Sequence, residues 1–382
     1  MKPKITLAIE SSCDDTSLAI VRQDDKWFTV DKIVTYSQLT EHTKYWGVIP
    51  ELAYRIHEEK IIKLVDELWR ETIKQVDSVS VTAQPWLMWS LMIGLTTAYW
   101  LGDFLNKPVI EVNHIYGHIF SILLERDLSK IQLPMAVLTV SGWHNEIYII
   151  ETKDNNIYNW NSLTLQDLEI KKIGETLDDA AGESFDKVAR MLGGKYPGWP
   201  WIDKQSLLWN HNEEFVFPRI RLDEERKYDF SFSGMKSCAG QIMAKFEKNW
   251  TKPSEQDIYD ICREFQEAVS DTLVRKIVNA VEEFDIKTIA LVWWVSANDR
   301  LFEKLIHEYI YNTQWSKKQI KESKNSKIEN ISKITSSEEY IKQIEELGLD
   351  KKLQSNKYIC RPTRKLYSTD NAAMIWVVWL IS

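Results

Sequence analysis

Two histidines stand four residues apart in Asn113-His114-Ile115-Tyr116-Gly117-His118. On a helix that spacing places both imidazoles on one face, one turn apart, where they can bind a single transition metal. The zinc-peptidase pattern H-E-x-x-H has a glutamate directly after the first histidine to act as general base. Ile115 stands there instead, so peptide hydrolysis of that kind is not expected. A metal held here needs a third protein ligand. Asp370, in Ser368-Thr369-Asp370-Asn371-Ala372-Ala373-Met374, stands at the mouth of an apolar, helix-like run and is the best distant candidate. Two imidazoles and one carboxylate leave coordination positions open for a substrate oxygen.

A second group of chemically capable residues is Glu10-Ser11-Ser12-Cys13-Asp14-Asp15-Thr16-Ser17, lying between the apolar runs 5–9 and 18–21. Strand, polar turn, strand is the simplest reading. Small hydroxyl and acidic residues in such a turn can present amides and carboxylates to a phosphate and a metal. An acidic hairpin tip in solvent fits the same residues equally well.

The elements that must position these groups follow from hydrophobic period. Residues 48–69 read as a helix, with Leu52, Ile56, Ile61, Leu64 and Leu68 on an apolar stripe and Arg55, His57, Glu58, Glu59 and Lys60 outward, which makes His57 a surface residue. Strands are expected at 76–83 and 109–112 with a helix over 87–105 between them, and the second strand delivers the chain to His114. This alternation indicates α/β architecture, in which sites form beyond the carboxyl ends of strands. From about Leu133 the plan repeats: strand 136–140, the turn Ser141-Gly142-Trp143-His144, then strand 146–151. Two related lobes are expected. Residues 174–187 open a helix, and Tyr196-Pro197-Gly198-Trp199-Pro200 is a turn cluster. Residues 229–236 alternate as an edge strand running into a helix. A long helix covers 258–284, a strand 288–292, and a further helix starts at Asp299. Residues 316–356, rich in Lys, Ser and Glu, read as a surface insertion.

Composition narrows the class. A chain of 382 residues suits two domains. Its 48 basic and 56 acidic residues give a net charge of −8, which excludes a globally basic nucleic-acid binder while leaving room for a local basic patch. Cys13, Cys238, Cys262 and Cys360 form no CxxC pair, so neither a disulfide framework nor a zinc ribbon is expected and the compartment reads as cytoplasmic. Met1 to Lys4 lead straight into a strand-like run, so no signal peptide is expected. The apolar run 85–105 contains Ser90, Thr96, Thr97, Gly102 and Asp103, and 372–381 is too short to span; no membrane segment is expected.

Together these segments resemble the tRNA N6-adenosine threonylcarbamoyltransferase family, formerly described as O-sialoglycoprotein endopeptidases. The resemblance rests on IESSCDDT at 9–16, GVIPELAYRIHEEKI at 47–61, VNHIYGH at 112–118, VSGWH at 140–144, GETLDDAAGESFDKVAR at 174–190, YPGWP at 196–200, DFSFSGMK at 229–236, FQEAV at 265–269, VSAND at 295–299 and STDNAAMI at 368–375. It implies an ASKHA (actin-like, Hsp70-like) fold of two RNase H-like lobes with a central cleft, divided here as 1–131 and 132–382, with the helix 370–382 packing on the first lobe. It implies transfer of a threonylcarbamoyl group from threonylcarbamoyl-AMP to the N6 amine of the adenosine next to the anticodon, in tRNAs reading codons that begin with A, with release of AMP. By position it makes His114, His118 and Asp370 the ligands of one divalent metal, Fe(2+) first and Zn(2+) second. Thr139, Val140, Ser141, Gly142, Trp143, Asp186, Trp199, Asp203 and Asn298 would hold the adenylate, and Asp14 and Glu175 are the acid/base candidates. The partners implied are tRNA, a paralogous ASKHA subunit and a small P-loop ATPase. The alternative is an ASKHA phosphotransferase or ATPase acting on a nucleotide without tRNA.

The departures from the family pattern are of one kind. Trp46, Trp86, Trp89, Trp100, Trp143, Trp199, Trp293, Trp294 and Trp379 stand where the family pattern has glycine, in a chain with 17 tryptophans and 13 glycines. Ordinary usage has glycine at about 7% and tryptophan among the rarest residues. An indole fills space that glycine leaves to backbone amides and ligand. Either the chain is an inactive homologue with a filled site, or a UGA codon that its host reads as glycine is written here as tryptophan. The intact set His114, His118, Asp186, Asn298 and Asp370 favours the second reading.

Overall fold

The computed structural model describes residues 3–24, 27–69, 73–154, 160, 163–210, 214–293, 297–310, 336, 339, 342 and 358–380. The insertion expected at 316–356 lies almost wholly outside them, as does Trp294. Two compact units emerge: Met1–Leu133 with Glu151–Glu169 and Pro362–Ser382, and Pro134–Ile150 with Ile170–Arg361. A single division at 131/132 therefore differs from the structure in assigning Glu151–Glu169 to the second lobe.

The first unit is built on strands β1 (Lys4–Glu10), β2 (Asp15–Gln23), β3 (Phe28–Ser37), β4 (Ser78–Gln84) and β5 (Val109–Asn113), in the order β3-β2-β1-β4-β5. The first three are antiparallel neighbours, and β4 and β5 run parallel to β1. The central strands are buried on both faces, with Leu7, Ile9, Leu18, Ile20, Val79 and Val81 in one core cluster. At about 1.5–3 kcal/mol for each fully buried aliphatic side chain, that cluster fixes the strand register. Helices α1 (Leu39–Thr43), α2 (Pro50–Trp69), α3 (Met88–Leu105) and α4 (His114–Phe120) follow in chain order. Pro50 opens α2, where its missing N–H costs nothing.

One expectation on α2 is corrected. His57 is completely buried, because at 3.6 residues per turn position 57 shares a face with Ala53, Ile61 and Leu64. The polar neighbours Glu58 and Glu59 point away from that face and are exposed.

The second unit repeats the plan with β6 (Met135–Val140), β7 (Asn145–Thr152), β8 (Leu168–Gly174), β9 (Thr288–Val292) and β10 (Tyr358–Cys360), in the order β10-β9-β6-β7-β8. β6 pairs antiparallel with β7 and parallel with β9, and β9 pairs parallel with β10. The same mixed five-stranded arrangement in both units is the doubled RNase H-like plan of an ASKHA protein. Its helices are α5 (Ala181–Met191), α6 (Gly198–Ser206), α7 (Ser233–Lys248), α8 (Glu255–Glu283) and α9 (Asp299–Ile310). A capping box between Ser254 and Asp257 starts α8. The last helix, α10 (Ala372–Leu380), belongs to the first unit, where it packs on α4 and β1.

Two local expectations also change. The alternating run 229–236 makes only an isolated bridge, Thr176 to Phe230, before α7. The Asp178 carboxylate takes the Phe232 and Ser233 amides and the Ser231 and Ser233 hydroxyls, in competition with a strand ladder. The turn cluster at 196–200 is the start of α6, with Pro197 as its N-cap residue. Among the described residues no helix is long and apolar enough to cross a membrane. All four cysteines are free thiols.

Candidate functional site

In the first unit β5 ends at Asn113, whose side chain accepts from the Ile115 and Tyr116 amides at 2.8 and 3.4 Å and so starts α4 at His114. His114 and His118 then lie one turn apart with both rings buried. Gly117 lets α10 approach; a Cβ there would stand 2.9 Å from Ile375 Cδ1. That approach brings Asp370, just ahead of α10, onto the histidines. His118 Nε2 lies 3.1 Å from His114 Nε2 and 3.0 Å from Asp370 Oδ1, and His114 Nε2 lies 3.5 Å from the same oxygen. Three donor atoms converge on one point, as the ligands of a single ion with bonds near 2.1 Å do.

The surroundings hold those side chains in place. Glu10, at the end of β1, is fully buried and accepts from the Ser12 amide at 2.6 Å and from the Thr82 hydroxyl. Its other contact is His114 Nδ1 at 3.2 Å, and Ser12 Oγ lies 3.0 Å from the same nitrogen. An Nδ1–H given to Glu10 fixes the ring and turns Nε2 toward Asp370 and His118. Burial alone would lower His114, but Asp370 and Glu10 outweigh it and raise the imidazole to about 10. Burial pulls His118 down to about 4. Burial pushes the Asp370 carboxyl up, yet His114 and His118 hold it well below the usual range. A buried carboxylate, Glu10, and a largely buried one, Asp370, thus demand positive charge from His114. A divalent cation would supply that charge instead, and the imidazole–imidazole–carboxylate set fits one.

The acidic turn joins this group. Donor atoms of Cys13, Asp14 and Asp370 also lie within 4.8 Å of one another, so the turn points into the site and is not a hairpin tip in solvent. Burial, with Asp370 close by, raises Asp14 to about 6. His57 Nδ1 lies 2.8 Å from Thr16 Oγ1, and its Nε2 lies 3.0 Å from the Cys13 carbonyl, so that α2 clamps the turn from behind. His57 had no signal in its own spacing, and Glu10 stood in the acidic turn with nothing to mark His114 as its partner. Their roles come from the tertiary pairing of β1 with β4 and from the packing of α2.

The remaining residues are in the second unit. Thr139 and Val140 end β6 and are buried; the Thr139 hydroxyl is bonded to the Glu146 backbone. Ser141 Oγ accepts from the Trp143 and His144 amides at 3.1 and 2.8 Å. Gly142 lies against α5, close enough that a Cβ on Gly182 would stand 2.6 Å from its Cα. The Trp143 indole projects into solvent. Asp186 on α5 accepts from the Gly198 amide at 2.6 Å, an approach that Gly198 permits because a Cβ there would meet Phe185 O at 2.5 Å. Burial raises the Asp186 carboxyl to about 6. Trp199, on α6, packs against the core. Asp203 Oδ1 accepts from Gln266 Nε2 at 2.6 Å and faces Asn298 Nδ2 at 3.5 Å. Asn298 in turn takes the Leu301 amide at 3.0 Å at the head of α9. Asp203 and Asn298 are thus brought together, and Gln266 joins them. Glu175 stands apart, its carboxylate 2.5 Å from Lys172 at an exposed edge.

A family model described as tRNA N6-adenosine threonylcarbamoyltransferase matches residues 29–315. A protein of that name from Kosmotoga olearia is 42% identical over 301 residues, covering 78% of this chain and 82% of its own. Its counterpart in Listeria monocytogenes is 36% identical over 310 residues, 80% of this chain and 83% of its own. The crystal structure of HypF from T. kodakarensis aligns over 99% of this chain and 48% of its own at 12% identity, with a TM-score of 0.50, a likeness of fold alone.

Proposed function

The chain belongs to the tRNA N6-adenosine threonylcarbamoyltransferase family, and on that premise we propose the division of labour among its residues. It is an acyltransferase that acts in tRNA threonylcarbamoyladenosine modification. The acceptor is the N6 amine of the adenosine next to the anticodon, in tRNAs that read codons beginning with A. The donor is threonylcarbamoyl-AMP. The amine nitrogen attacks the carbamoyl carbon, the bond from that carbon to the phosphate oxygen breaks, AMP leaves, and the amine loses one proton.

His114, His118 and Asp370 would hold one divalent metal, Fe(2+) before Zn(2+), which when bound supplies Lewis-acid polarisation of a phosphate or carbamoyl oxygen. Glu10 accepts the Nδ1 proton of His114, which leaves Nε2 as the nitrogen that would face the metal. Asp14 is the proton acceptor for the amine, since a carboxyl raised to about 6 is still ionised near neutral pH and is basic enough to take a proton. Glu175, the other candidate, is held by Lys172. In the second unit Asp186 and Asp203 accept hydrogen bonds from the ribose, and Asn298 completes the set. The loop Thr139–Trp143 lies along the adenylate with Trp199. A paralogous ASKHA subunit and a small P-loop ATPase are the expected partners, and the cytoplasm, where tRNA is modified and free thiols persist, is the expected compartment.

The observation that carries this assignment is the convergence of His114 Nε2, His118 Nε2 and Asp370 Oδ1 in a chain of this family. Phosphotransfer to a nucleotide or sugar is not favoured, because the related proteins are named for threonylcarbamoyl transfer. The test is single-turnover transfer of labelled threonine from threonylcarbamoyl-AMP to tRNA by the native protein with its partners. His118→Ala is expected to lower the rate at least about 100-fold. An unchanged rate would remove the donor cluster from the reaction, and ATP-dependent phosphorylation of a sugar would restore the alternative.

A further inference from the structure

Among the described residues, six other than glycine adopt left-handed backbone: Trp46 (φ 57°), Asn106 (52°), Glu125 (51°), Trp250 (54°), Asp285 (44°) and Trp293 (74°). Asn and Asp tolerate that region because a short polar side chain can bond locally. Tryptophan has no such recourse, and its Cβ crowds the following carbonyl. Half of these positions are nevertheless tryptophan, a residue that makes up 17 of 382 in the chain.

Trp250 shows most directly what the backbone requires. Helix α7 ends at Lys248 with Asn249 as its C-cap; the Trp250 amide donates to Glu247 O at 3.0 Å and the Thr251 amide to Phe246 O at 3.0 Å. That pair of bonds defines the Schellman ending, whose left-handed residue is glycine by preference because only glycine enters it without a steric cost. The side chain gains nothing in return, since Trp250 is 97% exposed. Trp46 closes the turn after α1 with its amide on Thr43 O at 3.2 Å. Trp293 is the first residue after β9, at the carboxyl end of a strand, where ligands of α/β folds are held.

We propose that the functional polypeptide carries glycine at positions 46, 250 and 293, and by the same one-for-one replacement at 143 and 199. Pooling the two residue types restores an ordinary glycine content to a chain that has only 13. A host that decodes UGA as glycine would produce replacements of this single kind, scattered along the chain and placed wherever glycine is needed. The conformational argument at 46, 250 and 293 is independent of the reaction proposed above; the consequence at 143 and 199 rests on it. There, glycine would remove an exposed indole beside the Ser141–Gly142 turn and a half-buried one at the start of α6, the two places where the proposed reaction puts the donor's phosphate and ribose.

Peptide masses of the protein purified from its own host decide the matter. Glycine at 46, 250, 293, 143 and 199 is the expected result, and tryptophan at 46, 250 and 293 overturns the proposal whatever the activity. The second measurement uses the chain with the sequence as given. Trp250→Gly is expected to raise Tm by about 2–4 °C, with Trp250→Ala gaining less because alanine also resists the left-handed region. A Trp250→Gly variant no more stable than Trp250→Ala would remove the conformational basis. Threonylcarbamoyl transfer does not enter either readout, so failure of the assigned reaction and failure of this proposal are separable.

Discussion

Gln266 Nε2 donates to Asp203 Oδ1 at 2.6 Å, while Ser206 Oγ donates to Gln266 Oε1 at 2.7 Å. The amide is fully buried on α8 and spans from the last residue of α6 to a carboxylate one turn earlier. It fixes which way the Asp203 carboxylate faces. Gln266→Met keeps the volume and removes the bond, so we expect KM for the donor to rise about 10-fold, with kcat changed far less. Donor titrations at saturating tRNA check this. A fall in Tm with KM unchanged would show that Gln266 serves packing alone.

Glu10 and His114 form the second such pair. With Glu10 replaced by Ala, His114 loses the partner that orients Nδ1 and sets its basicity, and metal affinity is expected to fall 10- to 100-fold. Competition with a chelator of known affinity measures it directly. Affinity equal to that of the unsubstituted protein would mean that Ser12, 3.0 Å from the same nitrogen, is enough to orient the ring.

His57 makes a prediction in pH. Burial holds its imidazole below the ordinary 6.5, with the Cys13 carbonyl bond only partly opposing. The unfolded chain therefore binds the proton that the native state refuses, and stability contributed by neutral His57 is lost as pH falls through 6.5. His42, also lowered by burial, acts in the same direction. His57→Leu should cost about 1–3 kcal/mol near neutral pH, because the Cys13 carbonyl and the Thr16 hydroxyl lose a buried partner. It should also flatten the pH dependence between 5 and 7. Urea melts across that range decide, and His57→Gln, able to keep one of the two bonds, should recover part of the loss.

The sequence already shows much of this architecture, for reasons that can be named. β1, β2, β6 and β9 contain apolar runs buried on both faces, and α2 and α8 have a long helical period. β3 and β8 escape such reading because they are edge strands. Asp31, Lys32, Lys171 and Lys172 interrupt their alternation without penalty, since one side of each is solvated. In the site, His114 and His118 declare themselves by spacing. Asp370 lies 252 residues further along than His118; its place ahead of an apolar run makes it a candidate, and the family resemblance ties it to them. His57 was misplaced because polar neighbours masked a position whose helical phase is inward. Glu10 looks like any acidic strand end until β4 and α4 close over it.

Asp186 titrates in the opposite sense to His57. Burial lifts its carboxyl from 3.8 to about 6, the Gly198 amide opposing and Glu183 reinforcing. A folded-state value above the unfolded one means that the native protein binds this proton more tightly. The contribution is fully favourable below about 4 and is lost as pH rises through 6, where the ionised carboxylate costs roughly 1–3 kcal/mol. That cost is the expected signature of a group kept for a ligand, since a ribose hydroxyl donating to the ionised form would offset it. Asp186→Asn should therefore raise stability at pH 7 while weakening donor binding about 10-fold or more, provided the Gly198 bond to the amide oxygen survives. Donor affinity of the unsubstituted protein should fall as pH drops below about 6, and the Asn variant should lack that step. Melting curves and donor titrations over pH 4.5–7.5 give both readings. An Asn variant less stable at pH 7 but equal in donor affinity would make Asp186 a structural cap of α6 and take it out of the binding site.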